Sequence, residues 1–239
     1  MWLNSIGNKF KQIFCFDNLA ILILVLWVFV PSGSLSFASE IADPNPLRFQ
    51  KEINRFNWQD AKNSFPRQAL LFIGSSSIYK WKTAHDFPTQ QIINRGFSGA
   101  HISDINHYYS RIVTRYKPAK VIFYCGENDV AANKSVAQIL TDFKTFTHQL
   151  KQDLPATKLL FLAIKPSPAR WHLWSKMAQT NLAIATYCQS SNNCTYIDTA
   201  TPLLNSNGVP NQKLFAKDGL HLSGAGYAIW RDILYRQGI

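Results

Sequence analysis

Five short apolar runs alternate along the chain with longer segments in which apolar residues recur at helical spacing. The predicted strands cover residues 69–73, 91–93, 120–125, 158–164 and 195–197. The predicted helices lie near residues 102–115, 136–152, 173–189 and 223–236. Strands that alternate with helices indicate a parallel sheet, and the runs LLFIG and VIFYCG lack the polar alternation of half-exposed strands. The pattern predicts an α/β fold: one three-layer α/β/α sandwich with about five parallel strands.

The beginning of the chain has a different pattern. An uninterrupted apolar run covers residues 19–30, follows two lysines and precedes the small-residue site Ser-Phe-Ala at residues 36–38. A membrane-spanning helix needs about 20 apolar residues, so this run is short for one. The features predict a signal peptide over residues 1–38 and a mature domain over residues 39–239, either periplasmic or secreted. A retained N-terminal membrane anchor is the alternative.

The first segment of the mature domain is predicted to be a charged amphipathic helix. It covers residues 44–63, and its apolar positions are Leu47, Ile53 and Phe56. We expect this helix to pack on the domain as an N-terminal cover.

The charge balance narrows the choice of partners. The chain has 25 Lys and Arg residues against 14 Asp and Glu residues, a net charge of +11, which falls to +10 without residues 1–38. The basic residues are scattered and form no Arg-rich arm, zinc-finger spacing or aromatic RNA-binding motif, so we expect no nucleic-acid partner. Two interpretations of the positive charge remain: a basic face that meets anionic lipid or cell-envelope polymer, or a basic surface that only keeps the protein soluble.

The cysteines indicate one disulfide and no metal site. Cys15 lies in the predicted signal peptide, and Cys125 lies in an apolar run, as a buried thiol does. Cys188 and Cys194 flank a polar stretch between a predicted helix and a predicted strand, so an oxidising compartment would close the bond between them. None of these cysteines has metal-ligand spacing, and we expect neither a metal nor a cofactor.

A serine follows the first predicted strand, and an Asp-x-x-His motif lies near the C-terminus. Ser76 lies in Gly74-Ser-Ser-Ser, where a hydroxyl at a strand-to-helix turn suits a nucleophile, although this segment taken alone favours serines that cap the next helix. In Asp218-Gly-Leu-His, three residues of separation let Asp218 reach Nδ1 of His221 and leave Nε2 to take a serine proton. The other histidines are unassigned, with His101 a candidate for the rim of the site.

Two further residues supply the donors that acyl transfer needs. Gly99 follows the second strand in Asn94-Arg-Gly-Phe-Ser-Gly, and a glycine can turn its N–H towards a ligand. Asn128 follows the third strand in Gly126-Glu-Asn-Asp, and its amide is a neutral donor for an oxyanion, although this motif is also typical of a plain turn.

These four segments, in this order, resemble the blocks of the SGNH/GDSL hydrolase family from residue 71 to about residue 227. The resemblance implies the family's flavodoxin-like sandwich and two-step ester hydrolysis without metal or cofactor. It also implies roles for five residues: nucleophile and oxyanion donor for Ser76, oxyanion donors for Gly99 and Asn128, base for His221, and orienting acid for Asp218. In one departure, Ser75 stands where the family's first block has aspartate.

The loop after the fourth strand is a candidate substrate wall. Arg170, Trp171 and Trp174 lie in it and could grip an anion or stack on a sugar ring, unless the loop is purely structural. Because no large lid insertion interrupts the domain, we expect esters with short acyl groups, such as acetylated carbohydrates or small lipids of the cell envelope. Membrane contact is expected only through an uncleaved signal segment. An acyltransferase and a catalytically silent glycan-binding module on the same fold are the alternative functions.

Overall fold

The computed structural model describes residues 40–239, so the predicted signal peptide lies outside the described residues. Five parallel strands form one sheet in the order β2-β1-β3-β4-β5. The strands are β1 (Leu70–Gly74), β2 (Ile92–Gly96), β3 (Lys120–Tyr124), β4 (Lys158–Leu162) and β5 (Cys194–Ile197). The predicted five-stranded α/β sandwich is therefore confirmed.

The α-helices of the described residues cover both faces of this sheet. They are α1 (Gln50–Lys62), α2 (Ser76–Tyr79), α3 (Thr83–Asp86), α4 (Ile102–His107), α5 (Tyr109–Ile112), α6 (Glu127–Ala131), α7 (Val136–Asp153), α8 (Trp174–Gln189) and α9 (Gly224–Arg236). Short 3₁₀ helices lie at Pro46–Phe49, Thr114–Tyr116, Pro168–Leu173, Thr201–Leu203 and Gln212–Leu214. None of the helices in residues 40–239 is both long and apolar enough to cross a membrane.

Successive residues of each central strand enter two different cores, because side chains alternate between the faces of a strand. In β1, Leu71 and Ile73 join the core that α1, α4, α5, α7 and α8 cover. Leu70 and Phe72 join the opposite core, which contains Trp81 and Trp230. Both faces are buried, which explains why these strands are continuous apolar runs.

Several predicted boundaries were wrong. The second strand continues through Asn94, Arg95 and Gly96, which the prediction placed in the following loop, whereas β3 and β4 end earlier than predicted. The predicted helix over residues 102–115 is broken into α4, α5 and a 3₁₀ turn. Tyr108 and Val113 leave helical geometry at the breaks, and both side chains are buried.

The N-terminal segment packs against the domain through α1, where Ile53 and Phe56 are buried. The predicted helix begins only at Gln50: Leu47, expected to be buried, lies in the preceding 3₁₀ turn and is exposed, and Phe49 of the same turn is buried instead.

The sheet order defines where a ligand can enter. The chain moves from β1 to β2 on one side and then to β3 on the other, so the connections diverge between β1 and β3. In open parallel sheets the ligand crevice lies at such a point, at the carboxyl ends of the strands.

Candidate active site

Ser76 begins α2, two residues after β1 ends at that crevice. Gly74 has φ +135°, and a Cβ at this position would overlap the carbonyl oxygen of Tyr124, so only glycine fits. The N–H of Ser75 donates to that same oxygen at 3.0 Å, while the Ser75 side chain makes no capping bond. A backbone hydrogen bond therefore holds this turn at Ser75, the position where the SGNH/GDSL family has aspartate.

Asp218 and His221 lie in the turn before α9 and reach across to Ser76. Asp218 Oδ2 is 2.6 Å from His221 Nδ1, and His221 Nε2 is 3.0 Å from Ser76 Oγ. Asp218 Oδ1 also accepts the backbone N–H groups of Leu220 and His221, each at 3.0 Å. Because a carboxylate only accepts, the Nδ1 proton faces Asp218 and the Nε2 lone pair faces the serine hydroxyl.

These contacts determine the charge state of the acid. The hydrogen bonds from the His221 side chain and from the backbone hold the pKa of the Asp218 carboxyl well below its usual range. Asp218 is thus ionised at neutral pH and can stabilise a cationic imidazole.

Lys80 is a neighbour of the imidazole that the sequence motifs do not reveal. Its Nζ lies 3.1 Å from His221 Nδ1, beside the edge that faces Asp218. Its position four residues after Ser76, at the end of α2, is the only signal in the sequence for this contact.

Gly99 and Asn128 lie in the segments that follow the two strands next to β1. Gly99, after β2, has φ +83°, which favours glycine. Asn128, after β3, is the second residue of α6, and its Nδ2 donates to the carbonyl oxygen of Ala100 at 3.0 Å. This bond joins α6 to the loop after β2, so the amide of Asn128 lies beside the backbone of residues 99–100.

The predicted substrate loop forms the 3₁₀ helix Pro168–Leu173 and the start of α8. Trp171 and Trp174, both half-buried, stack with ring centroids 5.9 Å apart and planes 16° from parallel. Arg170 points towards Asn128, and its Nη1 donates to Asn128 Oδ1 at 3.1 Å. Ala169 N donates to the carbonyl oxygen of Gly219 at 3.0 Å, so the same segment contacts the Asp218–His221 turn.

A buried ion pair lies behind Asn128. Lys165 Nζ is 2.5 Å from Glu127 Oε2, which also accepts from Tyr124 Oη at 2.8 Å. Burial lowers the pKa of Lys165, although the Glu127 carboxylate opposes this effect. Sequence reasoning missed both residues; their only signal is that each charged residue follows an apolar strand.

A second buried cluster supports the start of α4. Asp129 accepts the N–H of Ile102 and pairs with Lys134 at 3.1 Å. His101, expected at the rim, is buried there instead, with Nδ1 3.7 Å from Asp129 Oδ1.

The cysteines and the expected absence of a metal site remain to be compared with the structure. Cys188 and Cys194 form a disulfide between the end of α8 and the start of β5, and Cys125 is a buried free thiol. Within residues 40–239, no three His, Cys, Asp or Glu residues are grouped so that they could hold a metal ion.

Comparison with known proteins identifies one family. The GDSL-like Lipase/Acylhydrolase family matches residues 74–229, a range that contains the serine, both candidate oxyanion residues, and the Asp-x-x-His turn. No curated protein matches the sequence.

Solved structures share the fold at low sequence identity. A Streptococcus pneumonia protein, provisionally named a platelet activating factor, has a TM-score of 0.72 and 21% identity, covering 79% of this chain and 91% of its own. A GDSL-like lipase from Bacteroides thetaiotaomicron has a TM-score of 0.68 and 22% identity, covering 77% and 96%. A catalytic mutant of an acetylxylan esterase from Geobacillus stearothermophilus has a TM-score of 0.60 and 16% identity, covering 73% and 96%.

Proposed function

Since the chain belongs to the GDSL-like lipase/acylhydrolase family, we propose that it is an exported serine esterase that uses a Ser-His-Asp mechanism on short-chain carboxylic esters. Membership of this family makes the protein an ester-hydrolysing serine hydrolase. One observation carries the assignment of residues: His221 Nε2 lies 3.0 Å from Ser76 Oγ while Asp218 Oδ2 lies 2.6 Å from Nδ1 of the same ring.

In the first step, Ser76 Oγ attacks the ester carbonyl carbon. The hydroxyl proton moves to His221 Nε2 as the Oγ–C bond forms, and the ionised Asp218 stabilises the resulting imidazolium. The carbonyl oxygen becomes an oxyanion. When the C–O bond to the alcohol breaks, His221 returns the proton to the departing oxygen, leaving an acyl group on Ser76.

Three donors are proposed to hold the oxyanion: the backbone N–H groups of Ser76 and Gly99 and the Nδ2 amide of Asn128. They follow three neighbouring strands, β1, β2 and β3, and the bond from Asn128 to Ala100 O keeps two of them together. Neutral donors fixed before the reaction stabilise developing negative charge without reorganisation. A water molecule then attacks the acyl-enzyme, gives a proton to His221 and releases the acid, and the proton returns to Ser76 Oγ.

The proposed substrates are acetylated carbohydrates or small lipids of the cell envelope. Trp171 and Trp174 offer stacked aromatic faces beside Arg170, a surface suited to the flat side of a sugar ring or an anionic group. A neighbouring structure, the acetylxylan esterase, is named for a short acyl group on a carbohydrate, which supports this substrate class.

Export is proposed from the signal-like segment over residues 1–38, which leaves a mature chain of residues 39–239. The disulfide between Cys188 and Cys194 supports it, because structural disulfides persist in oxidising compartments.

Ser76→Ala tests the assignment directly. The purified variant is assayed on a neutral short-chain aryl ester and treated with a fluorophosphonate probe. Loss of the attacking oxygen is expected to reduce kcat by about 10⁴-fold or more and to abolish covalent labelling, with an unchanged circular dichroism spectrum.

Ser77→Ala is the matched control. The Ser77 side chain is buried, and its Oγ has no hydrogen-bond partner among the described residues, so its removal is expected to leave activity and labelling intact. Full activity or labelling in Ser76→Ala would contradict the proposed nucleophile.

A further inference from the structure

The Asn128 amide lies between two groups whose hydrogen-bonding roles are fixed. Arg170 Nη1 lies 3.1 Å from Oδ1, and Nδ2 lies 3.0 Å from the carbonyl oxygen of Ala100. A guanidinium only donates and a carbonyl only accepts. Turning the amide by about 180° would oppose N–H to N–H and oxygen to oxygen, losing both bonds. The two neighbours therefore permit one orientation of Asn128.

In this orientation, the second Nδ2 hydrogen has no partner among residues 40–239. We propose that Arg170 is a positioning residue, which holds the amide oxygen so that this free N–H faces the reacting carbonyl. The inference rests on the proposed function, in which Asn128 donates to the oxyanion. Arg170 then acts through Asn128 and contacts no reacting atom.

Arg170 can serve this purpose because its own surroundings are rigid. Its Nη1 also lies 3.4 Å from the carbonyl oxygen of Glu127 and 3.7 Å from Glu127 Oε1. The Glu127 side chain is 5% exposed and paired with the fully buried Lys165. On the preceding residue, Ala169 N donates to Gly219 O at 3.0 Å. The guanidinium is thus held beside a buried ion pair, and the backbone that carries Arg170 is joined to the Asp218–His221 turn.

This role predicts a different kinetic effect from substrate binding by Arg170. A residue that grips an anionic substrate changes KM for anionic esters and leaves neutral esters unaffected. A residue that aims an oxyanion donor changes kcat for every ester, because the interaction strengthens only in the transition state. A neutral short-chain aryl ester therefore separates the two roles.

The test is a double-mutant cycle on the full mature chain, with Arg170→Ala, Asn128→Ala and their combination assayed on that neutral ester. Loss of one oxyanion donor costs about 10²- to 10³-fold in kcat, and we expect Asn128→Ala to fall in this range. Arg170→Ala is expected to lower kcat by about 10- to 100-fold with little change in KM, since a misaimed donor retains part of its effect. In the Asn128→Ala background, Arg170→Ala should cause no further loss.

Two conservative variants and one control complete the design. Arg170→Lys, which keeps the positive charge and can still donate a hydrogen bond, should recover part of the lost kcat, and added guanidinium ion should partly rescue Arg170→Ala. Arg170→Gln provides the same cycle if the alanine variant fails to fold. Arg231→Ala removes a guanidinium that pairs with Asp232 on α9 and should leave kcat unchanged.

Three results would overturn the inference: unchanged kcat in Arg170→Ala and Arg170→Gln, losses that multiply in the double variant, or an effect confined to KM for anionic esters. The proposed function fails separately, if Ser76→Ala stays active. An inactive Ser76→Ala together with a fully active Arg170→Ala would reject only the role of Arg170.

Discussion

At the residue scale, buried charged groups support the loops that carry the candidate site. Asp129 is fully buried, and burial raises the pKa of its carboxyl although Lys134 opposes this effect. Its carboxylate accepts the N–H of Ile102 at the start of α4. The loop that carries Gly99 therefore ends on a helix fixed by Asp129, next to Asn128 in sequence.

His101 makes this region sensitive to acid. Burial, together with the positive charge of Lys134, lowers the pKa of His101 from 6.5 to about 4. Between these pH values the unfolded chain binds more protons than the native protein, so the free energy of unfolding falls as the pH falls. The two pKa values set an upper limit of about 3 kcal/mol for this loss.

The measurement is urea denaturation at pH 7 and pH 5 for the unmodified chain and for His101→Gln. The variant has no imidazole to protonate, so it should lose less stability between the two pH values. His172→Gln, at an exposed position, is the control and should keep the original pH dependence. An identical loss in the His101 variant would contradict the assignment.

The contact that spacing along the chain predicts is a local one. Asp218 and His221 are three residues apart in a turn, so their contact follows from spacing, and motif order places Ser76 with them. Arg170 and Asn128 are 42 residues apart and meet only because β3 and β4 are neighbours in the sheet. Spacing along the chain does not predict such a contact.

At the element scale, polar side chains that bond to other elements extend β2 beyond the end that the hydrophobic pattern predicts. β2 continues through Asn94 because its side chain donates to the carbonyl oxygen of Ile78 and accepts the N–H of Gly96. Arg95 stays in the strand because Asp60 of α1 pairs with it at 2.5 Å. A strand predicted from a run of apolar residues ends at Ile93, because the sequence does not show that the polar side chains after it bond to other elements.

The disulfide is an element-scale restraint between the last turn of α8 and the start of β5. The Cys188→Ser/Cys194→Ser variant is expected to lose about 2 kcal/mol of unfolding free energy, because the short loop between the two residues gains freedom in the unfolded chain. The bridge lies at the amino end of β5, opposite the crevice, so esterase activity at 25 °C should not change.

Reduction of the disulfide in the unmodified chain is the control for the double serine variant. The unmodified chain should lose the same stability in dithiothreitol during urea denaturation, while the double variant should be insensitive to it. Equal stability of all samples, with and without dithiothreitol, would show that the bond does not stabilise the fold.

At the scale of the whole molecule, the N-terminal segment is joined to the loops around the site by charge pairs and one aromatic contact. Arg48 pairs with the buried Asp104 of α4 at 2.5 Å. Phe49 packs edge-on against Phe97, with ring centroids 4.8 Å apart, just before the loop of Gly99. The amphipathic pattern predicted a covering helix, but the partners of its charged residues lie more than 30 positions away and could not be identified from the pattern.

Asp60 on α1 forms a further, buried charge pair of this segment, and its removal tests whether charge pairing holds the N-terminal segment on the domain. Its side chain is 2% exposed, accepts from Arg95 at 2.5 Å and from Tyr116 Oη at 2.6 Å, and lies 3.4 Å from Arg115 Nε. Removing one partner of a buried ion pair leaves the other charge uncompensated, so Asp60→Ala is expected to lose about 3–5 kcal/mol of unfolding free energy in urea denaturation.

Asp232→Ala is the matched comparison, because it also deletes a carboxylate from an arginine pair. That pair is exposed, with Asp232 53% and Arg231 34% accessible, so the loss should be much smaller than in Asp60→Ala, because water screens the charges of an exposed pair. Asp60→Asn, which keeps an acceptor for Tyr116 but not the charge for Arg95, should fall between the two alanine variants. If Asp60→Ala and Asp232→Ala were equally stable, burial of the pair would have no energetic consequence, and apolar packing of Ile53 and Phe56 alone would hold the segment in place.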